Sequence, residues 1–248
     1  MTAFSPVLNS PTTTYSVQPG CGFLDDRYYY STLRRKGVLV ARKQVHPAVD
    51  FNAITGGDTD LGDGVHAADG GTVVGTMWDP YIGGIIEIEH PDGDISGYWH
   101  CRDIHVVKGQ YVNGGDLIGQ VGKGAKLDMA AHLHFYVKRS GVSLPINYWP
   151  STHISDKAEC EAFIRAHYHE PLAWLKARGA KTTLADLQAQ KGEPTKVLVV
   201  HGDEIVDVTG KLVPMPERGM TLDARTATVR LYVNQTAPSR IPALPPSR

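Results

Sequence analysis

Between about residues 46 and 148 the chain alternates short β-runs with Gly and Asp. Apolar and β-branched residues cluster in Thr72-Val73-Val74, Gly84-Ile85-Ile86-Glu87-Ile88, Ile95-Ser96-Gly97-Tyr98-Trp99, Leu117-Ile118-Gly119-Gln120-Val121 and Leu133-His134-Phe135-Tyr136-Val137. Strands this short, interrupted this regularly, predict an antiparallel β-domain. After Tyr148-Trp149-Pro150 the character changes. Phe163, Ile164 and His167 are spaced against Leu172, Trp174 and Leu175 as on helices, and Pro171 divides the segment into two or three short ones. Residues 196–200, 204–206 and 227–233 read as strands again. The predicted fold is therefore mainly β: a sheet domain over 21–150 and a smaller C-terminal α+β annex over 151–234. Residues 1–20, rich in Ser, Thr and Pro, read as a flexible arm, and 235–248, rich in Pro and Ser, as a disordered tail. Residues 21–45 are expected to form a lead-in that packs beside the active-site cleft of the sheet domain, and their Tyr28-Tyr29-Tyr30 run reads as ordinary packing ahead of substrate contact.

The chemistry concentrates in the sheet domain. His132-Leu133-His134 lies in a strand frame, so the two imidazoles share a face roughly 6.6 Å apart along the chain. Zinc–nitrogen bonds are about 2.0–2.1 Å. One histidine on a metal, with the other facing a metal-bound water, is the easier arrangement. His46 and Asp50 would be roughly 13 Å apart if the chain were extended between them, too far for one ion. A turn must therefore intervene, and Pro47 fixes one of its dihedrals. His46, Asp50 and His134 would make three protein ligands with a fourth position open, the form of catalytic rather than structural zinc sites.

The segment from about Val45 to Val137 resembles the lysostaphin-like, LytM-type zinc metallopeptidases of bacterial peptidoglycan. The likeness runs through Val49-Asp50-Phe51, Gly56-Gly57-Asp58-Thr59-Asp60-Leu61-Gly62-Asp63-Gly64-Val65, Ala67-Ala68-Asp69-Gly70-Gly71-Thr72-Val73, Gly97-Tyr98-Trp99-His100, Gly115-Asp116-Leu117-Ile118-Gly119 and His132-Leu133-His134-Phe135. The resemblance implies an antiparallel β-sheet zinc peptidase domain binding one Zn2+ per chain through His46, Asp50 and His134. It implies catalytic roles for His132 and His100, and a place for Tyr98 beside the catalytic histidine, holding substrate or transition state. Ala48, Cys101 and Ala131 depart from the family's usual Gly, Leu and Pro or Gly, which bears on pocket shape and not on the ligands. The implied partner is a peptidoglycan peptide, and the implied activity a wall-cleaving endopeptidase. The rival readings are a non-catalytic virion structural protein binding wall peptides and a metal-dependent carbohydrate enzyme.

Composition narrows the remainder. A formal charge of -1 argues against a general nucleic-acid surface. No stretch approaches the roughly 20 apolar residues of a membrane helix. Three widely spaced cysteines, Cys21, Cys101 and Cys160, without Cys-x-x-Cys, give neither a disulfide framework nor a cysteine metal site. Residues 1–20 lack a basic start and an apolar run. Combined with the resemblance, this leads to the expectation of a phage or prophage lysin, made in the cytoplasm and acting on the wall after release or as part of a virion. His167-Tyr168-His169-Glu170 lacks the spacing of His-Glu-x-x-His, and Asp58, Asp60 and Asp63 miss the EF-hand glycine position, so these aspartates read as a solvated loop. His90 and His105 read as structural. Every candidate group lies between 46 and 148, so the chemistry is expected to be independent of everything beyond about residue 150.

Overall fold

The structure, a computed structural model, describes residues 2–35, 38–124 and 129–191, with short segments at 199–201, 204–206 and 212–213. The chain divides into two compact units, Met1–Leu187 and Gln188–Arg248. The first contains, in order, β1 (Phe4–Asn9), β2 (Tyr15–Val17), α1 (Asp26–Tyr30), β3 (Thr32–Arg35), β4 (Val38–Ala41), β5 (Val49–Ala53) and β6 (Gly64–His66). Then come β7 (Gly71–Asp79), β8 (Gly83–Glu89), β9 (Ile95–Ile104), β10 (Tyr111–Val112), β11 (Leu117–Val121) and β12 (Leu133–Lys138). Finally α2 (Lys157–His167), β13 (Tyr168–His169), α3 (Pro171–Ala177), β14 (Lys181–Thr183) and α4 (Leu184–Lys191) complete it, α4 running on past the unit's end.

The main sheet runs β10-β7-β8-β9-β12-β5-β2, antiparallel at every step. The fold is mainly β, as the punctuated β-runs predict. Side chains alternate between faces along a strand, and β12 shows what that achieves. Leu133, Phe135 and Val137 enter one core with Val73, Ile86, Ile88 and Tyr98, whereas Tyr136 joins a second core with Ile85 and Trp99. The strand is buried on both faces, which pins its register, since a slip of one residue would exchange the two sets. That register sets His134 opposite both Asp50 on β5 and Trp99 on β9.

Close approach on β9 demands glycine at one position. A Cβ on Gly97 would fall 2.0 Å from the Tyr136 ring. The Tyr136 hydroxyl donates to Glu87 at 2.5 Å, and the Lys138 ammonium pairs with the same carboxylate at 2.5 Å. Lys138 also donates to the Leu144 carbonyl, so this buried charge pair has its donors occupied.

Two sequence boundaries are corrected. Residues 1–20 are not a free arm: Ala3, Phe4, Val7 and Leu8 are buried, and the Phe4 amide donates to the Ala68 carbonyl. β2 extends the main sheet alongside β5, and β1 pairs with β14. Four apolar side chains with backbone partners outweigh the Ser, Thr and Pro around them. Nor does the sheet domain end at 150. Pro171 does separate α2 from α3, taking the first position of α3, where its missing N–H costs nothing. Both helices nonetheless lie on the β-domain: Cys160, Ile164 and Tyr168 belong to the second core, Trp174 and Leu175 to the first. Asp94 ties them down, accepting from Trp174 Nε1 at 2.8 Å, His169 Nε2 at 3.0 Å and the Ser140 amide at 3.0 Å.

The second unit is described through β15 (Val199–His201), β16 (Glu204–Val206) and β17 (Leu212–Val213), a three-stranded antiparallel sheet. The strand expected at 227–233 and the tail at 235–248 lie outside the described residues. Among the described residues no helix is long and apolar enough to cross a membrane.

Candidate active site

The chain between His46 and Asp50 does turn, and β5 begins only at Val49. His46 Nε2 consequently lies 3.2 Å from Asp50 Oδ1 and 3.1 Å from His134 Nδ1, and the third edge, His134 Nδ1 to Asp50 Oδ1, is 2.9 Å. All three residues are buried. A tetrahedral ion with bonds of about 2.0–2.1 Å separates its ligand atoms by about 3.3 Å, so this triangle has the size that one zinc requires. The donor set fits as well. His46 Nδ1 donates to the Gly22 carbonyl at 3.2 Å, which leaves the Nε2 lone pair facing the triangle. Tyr28 stacks on the His46 ring at 4.2 Å and Trp99 on the His134 ring at 5.0 Å, fixing both imidazole planes. Burial would raise the Asp50 carboxyl, but the adjacent His46 and His132 and the hydrogen-bonding contact with His134 hold it well below the usual carboxylate range. Burial lowers His134 to about 4, against the pull of Asp50.

His132 and His100 line the same cavity, of about 570 Å³, as Asp50 and His134. His132 shares its face with His134, as the two-residue spacing predicts. His100 arrives differently. It has φ of 67°, a left-handed conformation uncommon for a side-chain-bearing residue, and the register with β8 slips at this point: Trp99 pairs with Ile85 and Cys101 with Gly84. His100 is the extra residue of a β-bulge, which re-aims its side chain. Both histidines have a fixed proton position. His132 Nδ1 donates to the Ala130 carbonyl at 2.8 Å and His100 Nδ1 to the Ile82 carbonyl at 2.6 Å, so each keeps its Nε2 as an acceptor. Their rings lie 4.5 Å apart, and His132 Nε2 is 3.9 Å from Asp50 Oδ2. Burial, reinforced by His132 and His134, holds His100 well below the ordinary histidine range.

Tyr98 is not part of this cavity. The bulge at His100 breaks the alternation, so Trp99 and His100 face the site while Tyr98 faces the core behind it. There its oxygen accepts from the Ala68 amide at 2.8 Å and its proton goes to Ser96 Oγ at 2.9 Å; Ser96 in turn donates to His90 Nε2, whose Nδ1–H is held by the Gly70 carbonyl. His90 is thus structural, as expected, and Tyr98 with it. Tyr98→Phe is therefore expected to leave metal content and turnover within about twofold of the parent. It should cost about 1–3 kcal/mol of stability, because the buried Ala68 amide loses its acceptor. Thermal melts beside turnover assays check this; a large loss of turnover with stability intact would return Tyr98 to the catalytic group.

The Asp58–Asp63 loop is more than solvated. Asp58 accepts from the Ala131 amide at 2.9 Å and so braces the residue before His132, Asp60 is buried against the Ala53 amide, and Asp63 accepts from Tyr15. Three further residues line the cavity, two of them from the lead-in expected beside it. Trp149, 5.5 Å from His134 and 6.0 Å from His46 by ring centres, walls the cleft, and Tyr28 and Arg42 line it from the lead-in segment. No local pattern marks them, since each reaches the site only through the tertiary fold.

Residues 44–146 match Peptidase family M23. The chain carries an M23 peptidase domain. Stage II sporulation protein Q of Bacillus subtilis (strain 168) is 35% identical to it over 86 residues, 34% of this chain and 30% of that protein. The chain thus spans less than a third of the length of this curated relative. Among solved structures, the SpoIIQ–SpoIIIAH pore-forming complex contains a chain 24% identical, matched over 60% of this chain and 90% of that one, with a TM-score of 0.45. The catalytic domain of lysostaphin from Staphylococcus simulans is 22% identical over 66% of this chain and 93% of its own, with a TM-score of 0.41. In the M23 domain the matched span contains His46, Asp50, His100, His132 and His134, and it ends just short of Trp149.

Proposed function

We propose that this chain is a zinc-dependent endopeptidase that hydrolyses peptide bonds of bacterial peptidoglycan. The observation that carries this reading is a zinc-sized His46–Asp50–His134 triangle in one cavity with two further imidazoles whose Nε2 atoms are free. Zinc held there would supply Lewis acidity to the scissile carbonyl and acidify the attacking water. His132 is placed to take the proton from that water. Its Nε2 is an acceptor and lies 3.9 Å from Asp50 Oδ2, so the imidazolium that forms is stabilised by a carboxylate. The His132 imidazolium then gives that proton to the leaving amine, and His100, one ring away, keeps a neutral Nε2 that accepts a hydrogen bond from the water or the peptide N–H. Trp149, Trp99 and Tyr28 keep the site dry enough for these contacts to count.

A second reading, a module that assembles with another protein instead of cutting peptide, is supported by the SpoIIQ match, because SpoIIQ is found in complex with SpoIIIAH. Incubation with purified cell walls separates the two. Hydrolysis should release new amino groups and no reducing sugars, stop with chelator and return with zinc. Release of reducing ends would point to sugar chemistry, and inert walls with a zinc-loaded protein would favour the assembly module.

A further inference from the structure

Arg42 is the single Lys or Arg among the described residues lining the cavity. Its backbone is fixed where the β3–β4 hairpin closes: Thr32 pairs with Ala41, and the Arg42 amide donates to the Ser31 carbonyl at 2.9 Å. Its guanidinium carbon sits 4.0 Å from the centre of the Tyr28 ring. The same ring stacks on His46 at 4.2 Å. The guanidinium is therefore no more than about 8 Å from the His46 ring, a span of two to three residues of extended peptide.

Beyond its contact with the Tyr28 ring, its charge pairs with no described carboxylate. Among the described residues Arg42 forms no ion pair, and its Nε is buried with no hydrogen-bond partner. Asp50, the carboxylate lining the same cavity, is engaged by His46, His132 and His134. A half-buried guanidinium without an anion is open to one, and its planar fork matches a carboxylate in two parallel hydrogen bonds. Gln18 and Gln44 line the cavity with it and add neutral amide donors.

We infer that Arg42 recognises a free carboxylate on the substrate, two or three residues from the bond that is cut. The substrate class is then an acidic peptide, such as a wall stem peptide with unamidated carboxyl groups, and not a bridge made of glycine alone. This rests on the peptidase reading above for its catalytic consequence, though not for binding itself.

The test compares a cross-linked stem peptide with free carboxyl groups and the same peptide with those groups converted to carboxamides. The zinc-loaded full chain should prefer the acid by about 10- to 100-fold in kcat/KM, mostly through KM, as expected for a charge-assisted pair. Arg42→Gln should bring that ratio close to one, and Arg42→Lys should restore part of it. No preference in the parent, or an unchanged ratio in Arg42→Gln, would overturn the inference and leave Arg42 as packing for Tyr28. If neither peptide is cut, the peptidase reading fails on its own. Calorimetric titration with the same two peptides then decides the case for Arg42. Acid-selective binding lost in Arg42→Gln sustains it, and equal Kd values for both peptides overturn it.

Discussion

Replacing His134 with alanine is expected to strip the chain of zinc and to abolish peptide hydrolysis, whereas His132→Ala should keep its zinc and still lose about 100- to 10,000-fold in rate. The two residues are neighbours on one strand face, yet their atoms do different things. His134 Nδ1 forms two edges of the donor triangle, and among the described residues the only other members of that triangle are His46 and Asp50. Two donors in place of three leave an ion with little hold. His132 contributes no atom to the triangle; its Nε2 stands 3.9 Å from the far oxygen of Asp50. The same division predicts that His46→Ala and Asp50→Ala behave like His134→Ala, and His100→Ala like His132→Ala. Elemental analysis of purified variants, read beside turnover at saturating zinc, makes the comparison. His134→Ala also deprives the buried Asp50 of a hydrogen-bond donor, so its melting temperature must be measured to show that the variant is folded. Full zinc occupancy in folded His134→Ala would remove it from the ligand set, and zinc loss in His132→Ala would move that residue into it.

How far this site was legible follows from the range of each relationship. His132 and His134 could be paired from sequence because strand alternation is a two-residue rule, and the turn between His46 and Asp50 because a four-residue span is too long for one ion unless the chain folds back. The sheet itself was legible for the same reason: its β-runs are local. Tyr98 was misplaced because the residue two places on, His100, sits in a bulge. Its φ of 67° is set by pairing with β8 and β11, and no neighbouring residue announces it. The lead-in as a segment could be set beside the cleft, but Tyr28, Arg42 and Trp149 could not be singled out as lining residues, since they approach His46 and His134 from that lead-in and from beyond β12, at distances the chain alone does not specify. The amino-terminal segment was misread on composition. Ala3, Phe4, Val7 and Leu8 contradict its polar character; Phe4 and Leu8 are buried with Leu187 of α4, Val7 joins the main core, and the Phe4 amide reaches Ala68, all far along the chain.

The domain boundary has the sharper consequence. A chain ending at residue 150 keeps every proposed ligand and catalytic group, and the sequence leads to the expectation that it keeps the chemistry at some cost in stability, with Trp149, Phe163 and Trp174 covering apolar surface of the sheet domain. The structure predicts instead that it will not fold. Truncation there removes Ile164, Tyr168, Trp174, Leu175 and Leu187, all buried within the first unit. At about 1.5–3 kcal/mol for each large apolar side chain, the loss matches the roughly 5–15 kcal/mol by which a domain exceeds its unfolded state. The cut also uncovers the faces these residues protect, Trp99 and Tyr136 in one core and Phe135 in the other. Asp94 loses Trp174, His169 and Arg178 together, leaving a largely buried carboxylate with backbone partners alone. Trp99 stacks directly on His134, so disorder in the second core reaches the metal triangle without any ligand being deleted. A chain ending after Lys191 retains all of these contacts and should melt cooperatively, bind one zinc and turn over a soluble peptide at a rate close to the full chain. Near-ultraviolet circular dichroism, a thermal melt and zinc content on the two truncations decide the matter. A cooperative, zinc-loaded, active 1–150 fragment would show that α2 and α3 merely rest on a self-sufficient sheet; an unfolded 1–191 chain would show that the second unit supports the first.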